Sequence, residues 1–116
     1  MMLLGRSLVV AVVLYSSAAG AHAMLEHAQP AAGAIVHRSP GALQLEFSEQ
    51  LEAAFSSATV TDPRGESAAA GAVSIQGVTM TVPLKPLPAG RYRVQWHAVS
   101  VDTHRTEGGY AFTVAP

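Results

Sequence analysis

The chain has 116 residues, of which seven are basic and eight acidic, and it contains no cysteine. This length is enough for one domain and not for two. The near-neutral net charge gives no excess of basic residues that would favour binding to nucleic acid or to an anionic membrane surface. The lack of cysteine excludes disulfides and a lipid anchor attached to an exported cysteine.

Residues 1–21 have the three parts of a secretory signal peptide. A basic start, 1–6, is followed by a short apolar run, 7–15, and by a stretch of small residues, 16–21. The apolar run is too short to cross a bilayer as a helix, which argues against a membrane anchor. We therefore expect export to the periplasm, with residues 22–116 forming one soluble, monomeric domain.

Short strand patterns punctuated by Pro and Gly fill the rest of the chain. A first strand is expected around His27, and a single helical turn is expected over 52–57, before the second of the clearer strands. Apolar and polar residues alternate, or β-branched residues cluster, in five further segments: 43–48, 58–61, 78–84, 91–98 and 110–114. Asp62-Pro63-Arg64-Gly65 predicts a turn, and Pro83 predicts a strand edge or a bulge.

Each of these strands has a narrow apolar face. In the longest pattern, one face carries Tyr92, Val94, Trp96 and Ala98. Two sheets must pack together to bury such faces. The fold class is therefore predicted to be all-β, an immunoglobulin-like Greek-key β-sandwich of about seven strands.

The new N-terminus predicts a metal chelate. Cleavage after Ala21 would make His22 the first residue, so that a free α-amine and an imidazole Nδ1 could close one chelate ring. The amine has a pKa of roughly 7.7–8.0, so a metal can displace its proton near neutral pH. Copper(II) is the strongest divalent binder of such nitrogen ligands.

Asp102-Thr103-His104 can complete the ligand set. In an extended segment, a spacing of two places the carboxylate and the imidazole on one face. One amine, two imidazoles and one carboxylate make a square-planar set for one copper(II) ion. Each half of this pattern is weak alone, because a loop histidine and a turn-capping aspartate are common.

The cleavage site has an alternative. Ala21-His22-Ala23 is itself a small-x-small sequence, and cleavage after Ala23 would remove His22 and the chelate with it. Residue patterns by themselves leave both sites open.

Several segments resemble the CopC family of periplasmic copper-resistance proteins. They are His22-Ala23-Met24-Leu25, Gln29-Pro30-Ala31, Leu45-Glu46-Phe47-Ser48-Glu49, 88–94, 96–104 and 108–114. The resemblance implies cleavage before His22 and a copper(II) site at His22, Asp102 and His104. It also implies that Glu49 is a weaker ligand or a group that orients one.

The chain departs from part of the family at one place. Some relatives carry a loop rich in Met and His that binds copper(I), whereas the corresponding stretch here, 62–76, has neither residue type. Met24 and Met80 are isolated, and Met80 is expected in the core. A copper(II)-only member is therefore predicted.

The remaining histidines have ordinary interpretations. His27 is expected to be a partly exposed strand residue, with assistance to the metal as the alternative, and His37 and His97 are expected at the surface.

Three functions are compatible with the sequence. The first is a non-enzymatic protein that sequesters or carries copper and hands it to a membrane copper importer. The second is a copper-dependent oxygenase with a terminal-histidine site, although Asp102 would fill the position that oxygen needs. The third is a metal-free sandwich used for protein contacts.

Overall fold

The computed structural model describes residues 22–116, so the predicted signal peptide lies outside the described residues. The strands are β1 (Leu25–Gln29), β2 (Ile35–Val36), β3 (Ala42–Phe47), β4 (Ser57–Thr61), β5 (Ser74–Gln76), β6 (Thr79–Pro83), β7 (Gly90–Val99) and β8 (Arg105–Val114). One 3-10 turn, Ala53–Phe55, lies inside the segment predicted as a helical turn. Over 22–116 no helix is long and apolar enough to span a bilayer.

The strands form two four-stranded sheets, in the orders β1-β3-β6-β5 and β2-β8-β7-β4. All neighbours are antiparallel except β2 and β8, which run parallel with Ile35 beside Thr113. The first sheet corresponds to the ABED sheet of immunoglobulin domains and β4-β7-β8 to the CFG sheet, with β2 added beside β8. The predicted fold class is therefore confirmed, with eight strands where about seven were expected, because β2 and β5 are too short to give a pattern.

The core lies between the two sheets and is built by alternation. In β7 the four residues of the predicted apolar face, Tyr92, Val94, Trp96 and Ala98, are all buried, and the residues between them are exposed. Trp96 meets Phe47 of the other sheet edge to face, with ring centroids 5.1 Å apart. Met80 is fully buried, as predicted.

The close packing of the Trp96 ring explains why a glycine, Gly108, lies beside it. Gly108 is the β8 partner of Trp96, and a Cβ placed there would lie 2.6 Å from Cζ2 of the indole ring. Only glycine allows the ring to lie this close to the neighbouring strand.

The turn predicted at Asp62-Pro63-Arg64-Gly65 is present. Gly65 has a φ of +83° and donates its N–H to the Asp62 carbonyl at 2.9 Å. The Asp62 carboxylate accepts the N–H groups of Arg64 and Glu66, which holds the pKa of Asp62 below its usual value. Pro83 ends β6 and pairs with Ala42 of β3 on one side, while on the other side its carbonyl accepts the Ala70 N–H at 2.7 Å, so the position is not the strand edge that was predicted.

Candidate metal centre

The connection between β7 and β8 is a tight loop that carries Asp102 and His104. Ser100 donates its N–H to the His104 carbonyl at 2.9 Å and accepts the Thr103 N–H at 2.8 Å. Thr103 has a φ of +73°. These bonds define a three-residue hairpin loop, Val101 to Thr103, whose third residue is left-handed. The loop therefore fixes the backbone on both sides of Asp102.

The side chain of Asp102 is held inside this loop. Its Oδ1 atom accepts a hydrogen bond from the Ser100 hydroxyl and lies 3.3 Å from Nδ1 of His104. The Ser100 hydroxyl, and next the His104 ring, hold the pKa of Asp102 below its usual value. Asp102 is therefore a carboxylate near neutral pH, and about half of its side chain is open to solvent.

The segment His22 to Met24 reaches this loop from the other end of the sequence. Ala23 is fully buried, and its carbonyl accepts the Thr106 hydroxyl at 2.7 Å. Met24 donates its N–H to the Ser48 hydroxyl and accepts the Ser48 N–H, both at 2.8 Å. The segment thus lies between the end of β3 and the start of β8.

This placement brings His22 against His104. The two imidazole rings stack, with centroids 4.9 Å apart and planes 24° from parallel. His22, Asp102 and His104 therefore lie in one cluster, although most of the domain separates them in sequence. Over residues 22–116, no three His, Asp or Glu side chains are already arranged to hold a metal ion. Joint ligation needs rotation of the stacked rings, and the ligand set stays a prediction.

Glu49 is the fourth predicted site residue. It follows Ser48 directly and is half-buried. Within the described chain, no hydrogen bond or ion pair joins Glu49 to His22, Asp102 or His104. Its predicted role as a weak ligand or orienting group stays a prediction.

Two other histidines pair with carboxylates on the outer faces of the sheets. His27 Nε2 lies 3.9 Å from Oε1 of Glu46, and His97 Nδ1 lies 3.2 Å from Oε1 of Glu107. Both imidazoles are more than half exposed. The surface interpretation of these strand residues is confirmed, and so is that of His37, which is exposed.

Sequence reasoning missed the groups that hold the cluster together. Ser48, Ser100 and Thr106 supply its hydroxyl hydrogen bonds. Ser48 and Ser100 lie in segments that resemble the family. However, the neighbouring sequence gives no signal that a hydroxyl group forms a hydrogen bond with a residue distant in the chain.

The fold is a small immunoglobulin-like sandwich, and the cluster gathers imidazole and carboxylate donors at one end of it. This combination is typical of the class of metal-binding domains. The CopC domain family matches residues 25–115, and the chain belongs to this family.

Curated relatives support the same assignment. Protein YobA of Escherichia coli K12 is 44% identical over 98 residues, which cover 81% of this chain and 79% of that protein. Copper resistance protein C of Escherichia coli is 43% identical, with 81% and 82% covered. Copper transport protein CutJ of Bacillus subtilis is 31% identical over 81% of this chain, but the match spans only 18% of CutJ.

Solved structures agree with this assignment. CopC from Methylosinus trichosporium OB3b superposes with a TM-score of 0.76 at 33% identity, covering 82% of this chain and 95% of that one. PcoC, a methionine-rich copper resistance protein from Escherichia coli, gives 0.69 at 39% identity, covering 80% and 98%. The relatives in this family that carry functional names are copper-resistance and copper-transport proteins rather than enzymes, and membership implies copper binding.

Proposed function

We propose that this chain is an exported periplasmic protein that binds one copper(II) ion through His22, Asp102 and His104 and carries or sequesters it. The observation that carries the proposal is the stack of the His22 ring on the His104 ring, with Asp102 3.3 Å from the latter. Glu49, next to the Ser48 that holds the terminal segment, is proposed as a weaker ligand or orienting group.

The donor set suits cupric ion. A terminal amine, two imidazoles and a carboxylate provide three nitrogens and one oxygen, which matches the tetragonal preference of copper(II). Because Asp102 would occupy the fourth equatorial position, the site favours retention of the ion over oxygen activation. Protein thioethers that would suit copper(I) are scarce in 22–116, since Met80 lies in the core, 62–76 contains neither Met nor His, and Met24 is a single exposed thioether.

The buried position of Ala23 supports cleavage after Ala21. Cleavage after Ala23 would remove a fully buried side chain and the carbonyl that accepts the Thr106 hydroxyl. It would leave a hole and an unpaired hydroxyl in place of an ordered start, a combination that costs free energy. Cleavage after Ala21 retains both features and exposes the amine of His22.

A domain fusion supports a membrane copper importer as partner. In copper transport protein CutJ, the region similar to this chain makes up 18% of a longer polypeptide. The same domain makes up most of copper resistance protein C of Escherichia coli, where the match spans 82% of that protein. A domain that is fused to a transport protein in one case and forms most of a protein in another points to such a transport protein as its partner. Handover of copper to an importer is the corresponding proposal for this chain.

Copper(II) titration of a matched pair of histidine variants tests the proposed site. His104 and His97 both face a carboxylate, at 3.3 Å and 3.2 Å, but only His104 stacks on His22. His104→Ala should weaken binding by more than about a hundredfold, because a lost ligand costs more than a lost outer partner. Its spin-resonance spectrum should change from three nitrogen ligands to two, while His97→Ala should behave as the unmodified protein.

Two results would contradict the proposal. Equal affinity of the His104→Ala and His97→Ala variants would remove His104 from the site. Failure of the unmodified protein to bind copper(II) below micromolar concentration would instead favour the metal-free sandwich.

A further inference from the structure

We propose that the hydroxyl groups of Ser48 and Thr106 are positioning groups that hold the first residues of the exported chain in place before copper binds. The proposal rests on the proposed function, because it concerns the alignment of His22 with His104. Neither hydroxyl contacts the rings themselves, and both act through the backbone of His22 to Met24.

Ser48 bridges two peptide groups of the terminal segment. Its Oγ accepts the Met24 N–H at 2.8 Å and donates to the His22 carbonyl at 3.2 Å. A serine hydroxyl has one donor and two acceptor positions, so it can make both bonds at once. The side chain therefore fixes the backbone on both sides of Ala23.

Thr106, from the other sheet, holds the second of these two peptide groups, the one that joins Ala23 to Met24. Its hydroxyl donates to the Ala23 carbonyl at 2.7 Å. Thr106 belongs to β8 of the second sheet, whereas Ser48 follows β3 of the first. The Ala23 methyl group is fully buried between these contacts.

The consequence concerns the metal-free protein. Chain ends are poorly ordered unless they are tied down. With the segment held, the His22 ring is already beside His104, so copper does not have to order the terminus. If only a fraction of molecules had the segment in place, the apparent affinity would fall to that fraction of its full value.

The size of the effect follows from the number of bonds. Loss of one hydrogen bond of ordinary net strength changes an equilibrium roughly fivefold. Ser48→Ala removes two such bonds and should weaken copper(II) binding by up to roughly twentyfold, and Thr106→Val should weaken it by up to roughly fivefold.

The experiment compares these variants with controls at exposed strand positions, Ser74→Ala in β5 and Thr59→Val in β4. Protein exported and shown by mass spectrometry to begin at His22 is used throughout. The metal-free readouts are amide exchange at Met24 and the ring-current shift of the His22 ring protons over His104. Copper(II) affinity by chelator competition and the urea midpoint complete the set.

We expect faster Met24 exchange in Ser48→Ala, and in both test variants a smaller ring-current shift, weaker copper binding and a modestly lower urea midpoint from the lost hydrogen bonds. The controls should match the unmodified protein. Ser48→Thr and Thr106→Ser, which keep the hydroxyls, should restore both the shift and the affinity.

Three results would overturn the proposal. The first is an unchanged ring-current shift and affinity in both test variants, which would leave the proposed function intact. The second is an affinity loss matched by an equal loss of stability without rescue by the hydroxyl-retaining variants. The third is a lack of copper binding by the unmodified protein, which would overturn the proposed function as well.

Discussion

Thr103 occupies a backbone conformation that L-amino acids with branched side chains rarely adopt. Its φ of +73° falls at the loop position where glycine is the usual residue. The side chain donates a hydrogen bond to the Asp102 carbonyl at 2.5 Å, which offsets part of the strain. Because the residues on either side of it are the proposed ligands, the strained position coincides with the site.

Replacement of Thr103 by glycine tests whether the backbone strain at this position costs more free energy than the hydroxyl hydrogen bond contributes. A left-handed conformation costs an L-residue about 1–2 kcal/mol, and glycine does not have this cost. Glycine also has greater conformational freedom in the unfolded chain, which cancels part of the stability gained by the substitution. Thr103→Gly should therefore raise the free energy of unfolding, measured in urea, by somewhat less than 1 kcal/mol. A decrease would mean that the hydroxyl bond to Asp102 outweighs the backbone strain.

At the scale of elements, two tyrosines tie the strands to their connections. The Tyr92 hydroxyl, near the start of β7, donates to the Pro88 carbonyl at 2.6 Å, the arrangement called a tyrosine corner in immunoglobulin-like domains. The Tyr110 hydroxyl in β8 donates to the Pro30 carbonyl at 2.8 Å. Burial raises the pKa of both groups, for Tyr110 to about 12.

Alkaline pH should weaken these ties. Tyrosine in an unfolded chain has a pKa of about 10. The neutral hydroxyls therefore stabilise the fold fully below about pH 10, and this contribution is lost as the pH rises toward 12. Urea midpoints should fall over this range, modestly because Tyr110 is only partly buried. Tyr110→Phe should lower the midpoint at pH 8 and flatten the fall, and an equally steep fall in that variant would contradict the assignment.

Alternation made the long strands predictable, since period-two patterns in β3 and β7 depend only on neighbouring residues. Strands β2 and β5 were not predicted, because a strand of two or three residues is too short to show a period-two pattern. The cluster was predictable only as two separate halves. Its assembly depends on bonds such as Thr106 to Ala23 and Ser48 to His22, which join residues far apart in sequence and leave no local signal.

At the scale of the whole molecule, charge is divided between the two ends of the sandwich. Strand registers place His22, β1, the 48–55 segment and the 100–107 hairpin at one end. That half carries one arginine, Arg105, and six acidic residues: Glu26, Glu46, Glu49, Glu52, Asp102 and Glu107. The other half carries five basic residues: Arg38, Arg64, Lys85, Arg91 and Arg93; its two acidic residues are Asp62 and Glu66. A cation should therefore be drawn toward the proposed site.

The rate at which copper(II) associates with the protein tests this electrostatic attraction. The association rate of copper(II) should fall as ionic strength rises, because the screening length shrinks from about 30 Å at 0.01 M to about 8 Å at 0.15 M. The double variant Glu52→Gln/Glu107→Gln should be slower at low salt by roughly two- to threefold, and the difference should vanish at high salt. Glu66→Gln, at the opposite end, is the control. An effect of Glu66→Gln half as large as that of the double variant, which changes twice the charge, would show that only net charge matters.

The central claim is that the amine and ring of His22 clasp copper(II) together with the Asp102–His104 pair. The most direct measurement is the copper(II) affinity of protein that begins at His22 beside that of protein retaining Ala21, which converts the amine into a peptide nitrogen. The retained residue should reduce affinity by more than about a hundredfold and remove one nitrogen from the spin-resonance spectrum, while the stacked rings remain. Equal affinity of the two proteins would contradict the account.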